Sequence, residues 1–169
     1  MKGGNWHTMT EEQRKLISEL YLEMFDKLIV YAHSSLENDA LAEEAVQETF
    51  RIACQSPEKL CCSSNPQGWL VLTLKNTIRN MKSNRATAKR IVERYLTAHI
   101  REISFSDNKI SLDVMYENLA NMEEFKLIKE MAIDGKSHLE MAQARGITVS
   151  ACKKRMQRAK EILQKKIGR

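Results

Sequence analysis

Helix breakers are nearly missing from this chain. Two prolines and six glycines are spread over 169 residues, and between them apolar side chains recur at steps of three and four. From Glu11 to Ala32 the apolar set is Leu16, Ile17, Leu20, Tyr21, Met24, Phe25, Leu28, Ile29 and Ala32, a spacing that predicts one helix burying a broad face. A second helix is expected after Asn38-Asp39, with Leu41, Ala45, Val46, Thr49, Phe50 and Ala53 on its inner side. The stretch Gln55–Gln67 holds Ser, Pro, Asn and a Cys pair and reads as a loop. Asn65-Pro66 then supplies a cap and a first-turn proline for a third helix carrying Trp69, Leu70, Leu72, Thr73, Asn76, Thr77, Asn80 and Met81. Helical character is expected to continue through Ile91, Tyr95 and Leu96.

Residues Arg101–Leu112 lose the period and are the best linker candidate. The helical pattern returns from Asn118 with Leu119, Met122, Phe125, Ile128 and Met131, and stops at Gly135. Ser137-His138-Leu139-Glu140 has the form of a capping box. Gly146 ends that short helix, and Thr148 caps a longer one striped with Cys152, Met156, Ala159 and Leu163. The expectation is an all-α chain of two small helical domains, 10–100 and 118–169, joined by a flexible linker at 101–117.

The net charge of +5 is unevenly placed. Residues 1–74 have six basic against eleven acidic side chains, and 102–144 have four against nine. Residues 75–101 have eight basic against one acidic, and 145–169 nine against one. Two cationic blocks between acidic ones suggest two polyanion contacts. No apolar run approaches the roughly 18 residues of a membrane span, so membrane insertion is not expected. Met1-Lys2-Gly3-Gly4-Asn5-Trp6 lacks a signal-peptide pattern, which points to the cytoplasm. Cys54, Cys61, Cys62 and Cys152 have no zinc-module spacing and read as packing or incidental thiols. His7, His33, His99 and His138 are isolated, and no phosphate loop or nucleophile constellation is present. No catalytic residue, metal or cofactor is therefore expected.

A helix of about eight residues, a glycine bend and a longer helix make the helix-turn-helix pattern. Its second helix enters the DNA major groove. With Cys152, Met156, Ala159 and Leu163 turned inward, Lys153, Lys154, Gln157 and Arg158 turn outward. Arg and Lys suit guanine or phosphate, and Gln suits adenine.

These residues also resemble a known family. Ser137-x-x-Glu140-Met141-Ala142, Gly146-Ile147-Thr148 and Lys153-x-Arg155-Met156-x-Arg158-Ala159-x-x-x-Leu163 resemble the promoter-reading C-terminal domain of bacterial sigma-70-family RNA polymerase sigma factors, most nearly the extracytoplasmic-function group. Upstream, Ala42-Glu43-Glu44-Ala45-Val46-Gln47-Glu48-Thr49-Phe50 is similar to the family's polymerase-gripping segment. Trp69-Leu70, Asn76 and Arg85 are similar to the helix that reads the melted −10 element. Asn80 departs from a frequent acid there, and Ala151-Cys152 from a usual Thr-Val.

The resemblance implies an alternative sigma factor with a −10 reader and a −35 reader. Glu44, Gln47 and Glu48 would bind core RNA polymerase on one outward face. Asn76, Arg79, Asn80, Lys82, Ser83, Asn84 and Arg85 would hold single-stranded −10 DNA. Lys153, Lys154, Arg155, Gln157 and Arg158 would read the −35 element. The implied partners are core polymerase (clamp and flap), promoter DNA and, for many such proteins, an anti-sigma factor. The alternatives are a helix-turn-helix transcriptional regulator and a polymerase-binding adaptor that does not initiate.

Overall fold

The structure, a computed structural model, describes residues 9–105 and 122–167. The described chain is all-helical: α1 (Glu11–Leu36), α2 (Asp39–Gln55), α3 (Pro57–Cys61), α4 (Pro66–Phe105), α5 (Glu123–Ala132), α6 (His138–Ala144) and α7 (Val149–Ile167). The N-terminal tail Met1–Thr8 and linker residues 106–117 lie outside the described residues. Chain contacts divide the molecule between Met81 and Lys82, inside α4.

Local chemistry starts and stops these helices. Thr10 and Gln13 form a reciprocal capping box on α1, the Gln13 amide donating to Thr10 Oγ1 at 3.2 Å and the Thr10 amide to Gln13 Oε1 at 3.0 Å. Glu37 ends α1 in the left-handed region, φ 52°, its N–H donating to the His33 carbonyl. Asn38 Oδ1 then accepts from the Leu41 amide at 2.9 Å and opens α2. Asn65 caps α4 as expected, its Oδ1 accepting from the Gly68 amide at 2.8 Å.

Two expectations are corrected. The segment 55–67 is not wholly loop: α3 forms at Pro57, and Leu60 on it is fully buried in the first core. Arg101–Phe105, expected in the linker, complete α4.

The N-terminal unit packs Ile17, Leu20, Met24, Leu28 and Ala32 of α1 against Ala42, Ala45, Val46, Phe50 and Ala53 of α2, with Leu70, Leu74 and Ile78 of α4. Tyr21 stands edge-on to Phe50 at 4.9 Å between centroids. Each fully buried Leu or Ile here stabilises by about 1.5–3 kcal/mol.

The C-terminal unit draws on α4, α5, α6 and α7. Ala88, Ile91, Val92 and Tyr95 of α4 join Phe125, Leu127, Ile128, Met131, Met141, Cys152, Met156, Ala159 and Leu163 in one core. The Tyr95 and Phe125 rings lie 6.0 Å apart, and the Tyr95 hydroxyl donates to Met122 Sδ at 3.5 Å. Residues 82–98, which periodicity alone leaves continuous with the first domain, pack in the second.

Candidate nucleic-acid interface

The helix-turn-helix is built by three local devices. Ser137 and Glu140 close a capping box, the Ser137 amide donating to Glu140 Oε2 at 2.8 Å and the Glu140 amide to Ser137 Oγ at 3.2 Å. After α6 the chain reverses at Gly146, φ 60°. The Gly146 amide donates to the Gln143 carbonyl at 3.1 Å and the Ile147 amide to Ala142 at 3.0 Å, the paired bonds of a Schellman stop. Thr148 Oγ1 then accepts from the Ala151 amide at 3.2 Å and starts α7. Ala142 is buried where α6 and α7 approach, and a longer side chain there would hold them apart.

The stripe expected inside α7 is inside: Cys152, Met156, Ala159 and Leu163 are all buried. Lys154, Arg155, Gln157 and Arg158 are exposed, while Lys153 is half-buried at the flank. The Gln157 amide donates to Glu161 Oε1 at 2.9 Å, a surface bond that groove binding would have to exchange. Lys160 lies half-buried, and burial pushes its ammonium below the ordinary value.

Arg145 has a different role from the cationic block in which it lies. Its guanidinium is 3.0 Å from Glu130 of α5 and 3.4 Å from Glu123, and it also donates to the Met141 carbonyl. Burial pushes the Glu130 carboxyl up, but the hydrogen bond and charge of Arg145, with Lys136 and Lys126, outweigh it and hold the carboxyl below its usual value. The same bond raises Arg145. Sequence reasoning missed this tie because the partners are fifteen residues apart, Glu130 on α5 and Arg145 just past the end of α6.

Along α4, Asn76, Arg79, Asn80, Ser83 and Asn84 are exposed, opposite buried Leu70, Leu74, Thr77 and Ile78. Asn76, Asn80 and Ser83 fall on one side, with Arg79 and Asn84 flanking. Lys82, three residues on from Arg79, is exposed at the edge of this side, and Arg85 does not join it. Arg85 follows Asn76 by nine residues, about two and a half turns, and so faces the other way. The nearby Lys75 ammonium sits 5.8 Å from the centre of the Tyr31 ring. Trp69 packs half-buried against the first core.

The acidic trio on α2 is split. Gln47 is exposed, and Glu48 is half-buried with both carboxylate oxygens bonded to Arg51. Glu44 is only 7% exposed. Of the three residues expected on one outward face, Glu44 is the one whose side chain is withdrawn from solvent. By the helical repeat position 44 stands with Gln47 and Glu48, away from Val46 and Phe50, so the core-facing stripe of α2 is not what withdraws Glu44 from solvent.

Burial pushes the Cys54 and Cys61 thiols up, and the neighbouring Cys62 adds to the rise at Cys61. Among the described residues no group of three His, Cys, Asp or Glu side chains could hold a metal ion, and no helix is long and apolar enough to cross a membrane.

No protein-family model matches the chain, and no curated protein matches it. The functional reading accordingly rests on the residues and their geometry.

Proposed function

We propose that the protein is an alternative sigma factor, of the extracytoplasmic-function kind, acting in the bacterial cytoplasm. It binds core RNA polymerase and directs promoter-specific initiation of transcription. The observation that carries this reading is the α6–Gly146–α7 unit, with its apolar stripe buried and Lys154, Arg155, Gln157 and Arg158 outward. The exposed amides and hydroxyl of Asn76, Asn80, Ser83 and Asn84 add a second, chemically different reader.

In this mechanism α7 enters the major groove of the upstream element, where Arg158 and Lys154 address guanine or phosphate and Gln157 addresses adenine. The α4 amides bond the Watson–Crick edges of unstacked non-template bases, while Arg79 holds the backbone. Each extruded base costs a few kcal/mol, so the second reader must offset that loss. Gln47 and Glu48 are the accessible members of the polymerase contact at the clamp. Binding both readers through one enzyme makes the second contact intramolecular and raises avidity by roughly 10²–10⁴.

Run-off transcription with purified core polymerase on genomic fragments tests the proposal. New initiation sites that require this protein are the expected result. Polymerase capture without initiation would leave the adaptor reading, and DNA binding without polymerase capture would leave the regulator reading.

A further inference from the structure

Lys82, Arg85 and Lys89 recur at steps of three and four on α4 and so share one side of that helix. That side differs from the one bearing Asn76, Asn80 and Ser83: seven residues from Asn76 to Ser83 make about two turns, whereas nine to Arg85 make about two and a half. Arg85 is seated in the C-terminal unit. A Cβ on Gly135 would lie 2.7 Å from its Nη2, so the guanidinium closes over the turn that leads into α6. Gly135 is two residues ahead of Ser137, the cap of α6.

Arg85 is half-buried there and has neither an ion pair nor a hydrogen bond to another described residue. A guanidinium has five donors and stays charged, so a partly desolvated one without an acceptor is an open position for an anion. Lys82 and Lys89 are exposed on either side of it; the Lys89 ammonium is 4.0 Å from Glu93, a surface pair worth little. In a helix-turn-helix the first helix crosses the DNA backbone while the second reads the groove. With α7 as a duplex reader, the DNA backbone crosses α6, the helix whose leading turn Arg85 covers.

We propose that Lys82, Arg85 and Lys89 form a phosphate-holding edge of the C-terminal unit, clamping the backbone of the duplex that α7 reads. This rests on α7 as a duplex reader. It moves Lys82 and Arg85 from the single-strand reader to the double-strand one. Such contacts position the protein without specifying sequence.

The test is the salt dependence of binding by the full-length protein, measured by fluorescence anisotropy on duplex and single-stranded DNA oligonucleotides at low ionic strength. Each lost phosphate contact lowers the slope of log K against log salt by about 1 on duplex. Arg85→Ala is expected to do so while leaving the single-strand slope unchanged, and Arg85→Lys to restore it. Arg79→Ala is expected to do the reverse, altering only the single-strand slope. Should Arg85→Ala disturb packing at Gly135, Lys82→Ala with Lys89→Ala removes two exposed side chains and is expected to lower the duplex slope by about 2.

Duplex slopes unchanged in these variants, or losses confined to single-stranded DNA, would overturn the edge alone. A wild-type protein without measurable duplex binding would overturn it together with the duplex-reader assignment of α7. Initiation assayed with core polymerase is a separate outcome, so failure of the sigma-factor reading is distinguishable from both.

Discussion

Glu130 and Arg145 show how much a single pair sets in the C-terminal unit. Both side chains are largely withdrawn from solvent, at 10% and 14% exposed, so removing one leaves the other poorly compensated. Arg145→Ala is expected to destabilise the fold by about 2–4 kcal/mol in urea unfolding at neutral pH. Because the Glu130 carboxyl is held below its ordinary value in the fold, its contribution is present above the unfolded-state value and is lost as pH falls through the lowered one. The wild type should therefore lose stability on acidification more steeply than Arg145→Ala. Equal acid limbs would count against the pair. The two left-handed glycines separate strain from contact. Gly146→Ala has open space for its Cβ and is expected to cost only the backbone strain, about 1–2 kcal/mol. Gly135→Ala carries the same strain and also displaces Arg85, so it should alter salt-dependent DNA binding where Gly146→Ala does not.

At the level of the element, α7 divides between a buried stripe and a cationic outer face, and substitutions should follow that division. Met156→Ala is expected to lower stability by about 2–5 kcal/mol through the cavity it leaves, measured by thermal unfolding. Arg158→Ala is expected to leave stability unchanged and to weaken upstream-element binding by about 1–3 kcal/mol, measured as promoter occupancy in the polymerase complex. Lys153→Ala should fall in between, because Lys153 is half-buried at the flank. Loss of occupancy in none of the outward variants would reject α7 as the reader. The helix α4 obeys a different division, along its length: its first half buries Leu70, Leu74 and Ile78 in one core, and its second half buries Ala88, Ile91, Val92 and Tyr95 in the other.

For the whole molecule that division has a direct consequence. The helix-turn-helix is not a complete folding unit from Glu123 onward, since Tyr95 and its neighbours cover Phe125 and complete its core. A fragment starting at Lys82 is expected to fold cooperatively, and one starting at residue 106 to remain largely unfolded by circular dichroism. A stable fragment lacking α4 would show the covering stripe to be dispensable.

Much of this architecture is legible in the residues alone, because helix periods, caps and stops are local. Asn38, Asn65-Pro66, Ser137-x-x-Glu140 and Gly146 each act on backbone groups within a turn of themselves, and the stripe of α7 follows from the helical repeat. Tertiary packing alone decided that Glu44 is withdrawn from solvent, that Arg145 is drawn to Glu130, and that residues 82–98 complete the second core. Amphipathic spacing states that a face will be buried, but the same spacing serves any partner surface of matching shape, and only the folded chain brings one particular surface against it.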